Sequence, residues 1–210
     1  MTALTPSLLA AFFYFGGMLY QLFCLGKRLT VNPRLLRGIG LVALVAHAAS
    51  LYLQLMTDHG FALGLFNIAS LIAWLIVALT LLSSFRAPVT SLLLGLYPLA
   101  LITALLAGIF PHEATTLPSG EKGLLVHILL SVLAYGILTI AAFQATLLAI
   151  QDYQLKHKHP TRFIRTFPPL QTMERLLFQF LLCGELLLTL ALISGFVFLE
   201  NMFAQHLVHK

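Results

Sequence analysis

Two histidines sit where an ionisable ring has few ready partners. His47 lies in "LVALVAHAASLYL" (41–53) and His127 in "LLVHILLSVLAYG" (124–136), both apolar and helix-compatible. An imidazole in such surroundings must be hydrogen-bonded, face water or bind something. It can join neighbouring helices through a hydrogen bond. It can also ligate haem iron or a transition metal through a ring nitrogen. His127, Ser131 and Tyr135 follow at i, i+4, i+8 and share one helix face. In the ligand reading the serine and tyrosine hold and orient the ring; in the structural reading the same face is interhelical packing. Glu185 in "LLCGELLLTL" is a third candidate. It is either a functional carboxyl or a neutral acid hydrogen-bonded between helices, with Asn67, Gln144 and Gln179 as possible partners.

The elements that position these groups follow from hydropathy. The chain is 60% hydrophobic and 9% charged, with a mean hydropathy of +0.95. A soluble domain of 210 residues cannot hide that much apolar surface, whereas a bilayer can. A spanning helix needs ~20 mostly apolar residues. Six such spans are expected, at 5–26, 35–56, 62–85, 89–110, 123–150 and 174–199. No alternating segments recur at barrel length, so the fold class is all-α, a bundle of six transmembrane helices forming one domain. The fifth span reaches roughly 42 Å at 1.5 Å per residue, longer than the hydrocarbon core, so it tilts or projects with "QDYQLKHKH". Gly26, Asn32 and Pro33 break the chain between the first two spans. The links "TDHG" (57–60) and "FRAP" (85–88) are short, and "PHEATTLPSGEKG" (111–123) is long and polar.

Charge sets the expected orientation. With the N-terminus outside, ten of the twelve Lys and Arg residues fall in cytoplasmic segments and only Lys122 and Lys210 outside. The net charge of +5 is then topology plus attraction to anionic lipid, not nucleic-acid binding. The N-terminus lacks the positive n-region and cleavage site of a signal peptide. Cys24 and Cys183 are distant in sequence and form no CxxC motif, so small apolar packing is their expected role. On this topology six of the eight histidines belong to the outer half: His47, His59, His112, His127, His206 and His209. Counting along the helices puts His127 roughly 6 Å and His47 roughly 13 Å below the outer surface.

Sequence order adds a resemblance. "VHILLSVLAYGILTIAAFQATLLAIQDYQLK" (126–156) combines a His-x3-Ser-x3-Tyr helix opening with a terminal Asp-Tyr-Gln-Leu-Lys. "PPLQTMERLLFQFLLCGELLLTLALISGF" (168–196) follows with Pro-Pro-Leu-x3-Glu-Arg and Leu-Thr-Leu-x4-Gly. Together with "ALVAHAASLYL" (43–53) and "LFNIASLIAWLI" (65–76), these resemble the cytochrome c biogenesis membrane proteins of the CcsA/CcmC type, and more closely their YpjD-like inner-membrane branch. The resemblance implies a multi-pass protein of the inner (cytoplasmic) membrane that handles haem, with haem b as the expected cofactor. It implies His47 and His127 as haem ligands, one deeper and one nearer the outer face. Their offset of roughly 7 Å along the membrane normal argues against a simple pair on one iron, because the ring nitrogens of such a pair lie ~4 Å apart.

Three features depart from that pattern. The tryptophan-rich haem platform of the family is missing, since Trp74 is the only tryptophan; cytochrome c synthesis by this chain is therefore not expected. The family usually continues with further helices that carry a second deep and a second shallow ligand. The expectation is a fragment, a membrane-protein partner that completes the site, or substitution by His206 and His209. Glu185 is the third departure. Two functions remain open. One is haem binding and transfer without bond-making catalysis by side chains. The other is an accessory subunit of a metal or ion transport or stress-response system that no longer binds haem. In that case His59, His112, His206 and His209 would converge on an ion such as zinc or copper. Membrane lipid is an expected partner in both, and nucleic acid in neither. No nucleophile-elbow or HExxH motif points to a hydrolase.

Overall fold

A computed structural model describes residues 4–27, 29–57, 60–62, 64–86, 89–110, 116–117, 122–157, 164 and 167–207. Six helices cross it: α1 (Leu4–Lys27), α2 (Pro33–Leu55), α3 (Leu65–Ser83), α4 (Leu93–Ile109), α5 (Lys122–Lys156) and α6 (Leu170–Leu207). A 3-10 turn, Thr90–Leu92, leads into α4. With that turn counted into the fourth, each is long and apolar enough to span a bilayer. The helices satisfy their own backbone groups, which is why this composition folds as helix in lipid.

Local chemistry fixes the helix ends. Asn32 caps α2 by accepting from the backbone N–H of Arg34 (3.0 Å) and Leu35 (3.4 Å), and Pro33 occupies the first turn, where its missing N–H costs nothing. Tyr20 Oη accepts from Asn32 N–H (3.0 Å), tying the α1–α2 link back onto α1. Helix α6 begins four residues earlier than the sequence pattern predicts. Pro168 and Pro169 immediately precede it, and the N–H of Met173 reaches Pro169 O (3.2 Å). Gln151 of α5 donates to Pro168 O (3.0 Å), and Gln144 donates to Met173 O (3.0 Å). Ile164, Phe167 and Met173 pack with Leu147 and Leu148 beneath them. This apolar cluster is why α5 continues to Lys156 and α6 starts at Leu170. Both helices exceed the ~20 residues a bilayer requires.

Helix α1 packs against α2 and α4, and α3 packs against α2, α4 and α5. The most extensive pairing is α5 with α6. The main core joins α1–α4 around Tyr14, Leu36, Ile76, Leu93, Leu96 and Tyr97, with Ile140 of α5 at its edge. Tyr97 lies across α1 and α2 at two glycines. A Cβ on Gly17 would stand 2.6 Å from Tyr97 Cε2, and one on Gly40 would stand 2.5 Å from Tyr97 Oη. Only glycine lets the ring approach this closely, as expected of small residues at membrane helix contacts. Tyr97 Oη then donates to Leu36 O (3.2 Å).

Three short strands add to the helical reading: β1 (Met56–Thr57), β2 (Gly60–Ala62) and β3 (Thr116–Leu117). They form an antiparallel sheet in the order β1-β2-β3, with Met56 opposite Phe61 and Phe61 opposite Leu117. Asn67 donates to Ala62 O (3.0 Å), anchoring the sheet to the start of α3. The sheet lies at the end of the bundle where α2 finishes and α5 begins, which is the end nearer His127.

Candidate functional site

His47 belongs to the four-helix body. Its side chain is 0% exposed. Nε2 lies 2.8 Å from Ser70 Oγ of α3, and Nδ1 lies 3.2 Å from Tyr14 Oη of α1. The Tyr14 ring meets the imidazole edge-on at a centroid distance of 5.8 Å. Both ring nitrogens are therefore occupied, and three helices are joined through one side chain. One turn away the same seam carries a second polar contact. Gln54 Nε2 donates to Ser50 Oγ (2.7 Å) and to Ser7 Oγ (3.2 Å). Ser7, Tyr14 and Gln21 recur every seven residues on α1 and are all buried. Ser7 and Tyr14 thus give the α1–α2 seam polar contacts one heptad apart.

His127 belongs to the α5–α6 pair and is only partly buried. Its Nδ1 lies 2.9 Å from Ala191 O and 3.2 Å from Ser194 Oγ, both on α6. Ser194 Oγ itself donates to Ala191 O (2.7 Å). A carbonyl oxygen can only accept, so Nδ1 must carry the proton. In a neutral ring the lone pair is then on Nε2. Nε2 makes no hydrogen bond with any described residue. This is the arrangement that metal-ligating histidines adopt, with the far nitrogen held by a carbonyl and the near one open.

Close contact between α5 and α6 makes this possible. A Cβ on Gly184 would stand 2.7 Å from Leu138 Cδ2, so glycine at that position lets α6 lie against α5. Leu138 follows His127 by eleven residues, three helical turns, and so lies on the same side of α5. Gly136 faces Leu75 and Ile76 of α3, which seats the pair on the body.

The structure places the other expected residues as follows. Ser131 is partly buried and Tyr135 is 55% exposed, and neither side chain bonds to His127. The ring's partners come from α6, Ser194 and the Ala191 carbonyl, neither of which same-helix spacing singles out. His47 and His127 occupy separate environments, one held by α1 and α3 and the other by α6. Glu185 is on the exposed side of α6 and pairs with none of its three expected partners. Asn67 donates to Ala62 O, Gln144 to Met173, and Gln179 is exposed. Cys24 is buried and Cys183 is exposed, both free, so apolar packing describes the first only. His59, His112 and His209 lie outside the described residues, and of His206 only the helical backbone is described. Among the described residues no group of three or more His, Cys, Asp or Glu side chains converges as a metal site.

Comparison with known proteins gives these positions a family. Residues 35–210 match the family described as cytochrome C assembly protein. The chain is 37% identical over 171 residues to the inner membrane protein YpjD of Escherichia coli K12, covering 80% of this chain and 65% of that protein. It is 34% identical over 107 residues to an uncharacterized 28.8 kDa protein of Azospirillum brasilense, covering 48% of this chain and 40% of that one. The chain thus spans a little under two thirds of the length of the YpjD relatives it matches. No solved structure matches. Six membrane-crossing helices, the matched span and the inner-membrane relative make this a multi-pass inner-membrane protein that belongs to the cytochrome c assembly protein family.

Proposed function

We propose that this chain binds and hands on haem b through His127, with the N-terminus on the outer side of the membrane. The observation that carries the proposal is the state of the His127 ring. Its Nδ1–H is committed to Ala191 O, and Nε2 keeps its lone pair without a partner among the described residues. Bound there, haem supplies the iron and its redox chemistry. The chain supplies an oriented imidazole, an apolar surface from α5 and α6, and a depth in the membrane that limits water.

His47 has a different task in this reading. Both its nitrogens are taken, and it would ligate iron only by giving up Ser70 or Tyr14. We assign it to holding α1, α2 and α3 in register. Ser194 is the positioning residue for His127, sharing the Ala191 carbonyl with it. The orientation is supported by the ten-to-two bias of basic residues, which puts His127 and the small sheet near the outer face.

An absorption spectrum tests the function. Protein purified in detergent after haem-replete expression is expected to show a Soret band and a sharpened reduced spectrum, both lost in H127A. Wild-type protein that stays colourless and takes up no added haemin would overturn the proposal and leave the accessory-subunit reading in its place.

A further inference from the structure

Helix α6 is the least covered of the spans. Only 11% of its most apolar stretch is buried, against 28–39% for the other five helices. Its buried side, with Met173, Gly184, Ala191 and Ser194, faces α5. The opposite side carries a second pattern. Phe178, Glu185 and Leu192 recur every seven residues, and so do Leu182, Thr189 and Phe196. All six are exposed, and the two rows interleave at alternating steps of four and three. That spacing is the a/d seam of a left-handed helix pair. Other exposed rows of α6, such as Gln179, Leu186 and Ile193, share that spacing; what marks this one is the carboxyl at its centre, because an ionisable group facing hydrocarbon is costly.

We infer that this seam is the interface for a second copy of the same chain, packed parallel about a twofold axis along the membrane normal. Charge complementarity selects that occupant. Arg175 continues the seam toward the cytoplasmic end, and Glu174 stands beside it at a flanking position. Both are exposed, and neither makes an ion pair with any described residue. In a parallel pair, a flanking residue of one helix lies against the seam residue of the other. Arg175 of each copy therefore meets Glu174 of the other, twice by symmetry. At mid-membrane the two Glu185 side chains meet across the axis. Thr189 is already tied to its own helix by a hydrogen bond to Glu185 O (2.9 Å), which keeps the seam narrow at that layer. Between membrane helices it is such polar contacts and close packing, not apolar burial, that drive association.

The test is subunit counting by single-molecule photobleaching of the full chain, sparsely reconstituted in phosphatidylethanolamine–phosphatidylglycerol vesicles. Wild type is expected to bleach in two steps. E185L is expected to weaken the dimer at least tenfold. R175E and E174R are each expected to weaken it about fivefold, and the double variant E174R/R175E to restore it, because the pair is then reversed but still complementary. Circular dichroism keeps a misfolded variant from being read as a monomer. Wild type that stays monomeric at every protein-to-lipid ratio overturns the inference, as does a dimer indifferent to E185L and to the charge reversals. A monomer that instead holds an unrelated transmembrane helix on this face overturns it too.

Discussion

The two histidine regions differ in the chemistry of what holds them, not in the apolar character of the sequence around them. His47 is enclosed by two hydroxyls, from Tyr14 and Ser70, and each can donate or accept. The ring is satisfied at both nitrogens. His127 is held at Nδ1 by a backbone carbonyl, which can only accept, together with a serine that is itself turned toward that carbonyl. The carbonyl therefore fixes a proton on Nδ1, and in a neutral ring the lone pair is then on Nε2. In the proposed reading the two hydroxyls make His47 a fastener, and the carbonyl on one side of His127 leaves its other nitrogen for a ligand.

Four expected outcomes break or sharpen that contrast. Replacing His127 by Ala has the largest effect. Haem retained after purification falls at least tenfold as judged by the Soret band, while H47A keeps haem in proportion to folded protein. Next is G184L. A side chain there collides with Leu138, forces α6 away from α5 and disrupts the contact between His127 and Ala191. It is expected to cost about 1–3 kcal/mol, read from unfolding in mixed micelles, and to lower haem retention as well. Substitutions S70A and Y14F each leave a buried ring nitrogen of His47 unsatisfied. Each should cost about 1–3 kcal/mol in the same unfolding measurement, with no change in haem per folded protein. Smallest is S194A. The Ala191 carbonyl still holds Nδ1, so haem affinity measured by titration should fall by less than about tenfold.

Much of the fold is legible in the sequence, because hydropathy over ~20 residues is a direct physical constraint. The positions of all six helices follow from it, and Asn32-Pro33 marks the start of α2 in plain chemical terms. The projection of α5 past the bilayer core is legible in the length of its apolar run, whereas the contacts that hold it and the early start of α6 are less so. They depend on Gln144 and Gln151 reaching the chain around Pro168 and on a small apolar cluster beyond the bilayer core. The three strands are too short to carry a periodic signal, and each pairs with residues fixed by the fold. The site is half legible. A histidine in an apolar helix is conspicuous by composition alone. Its partners are not, because Ser194 lies 67 positions from His127 and Tyr14 lies 33 from His47. Same-helix spacing points to Ser131 and Tyr135 as companions of His127, yet α6 supplies the contacts, since helix pairing decides which face of α5 is covered. Glu185 shows the converse. Its isolation on one helix is visible in sequence, but that it faces outward is visible only once α6 is seated on α5.

Chemical rescue tests the central claim most directly. H127G and H47G forms of this chain are purified without haem, supplied with haemin, and titrated with free imidazole. If His127 is the open ligand and His47 the fastener, H127G takes up little haem alone and regains the wild-type Soret position as imidazole fills the vacated place. H47G needs no imidazole to do so. Rescue confined to H47G, or haem bound equally well by both variants without imidazole, would contradict the account.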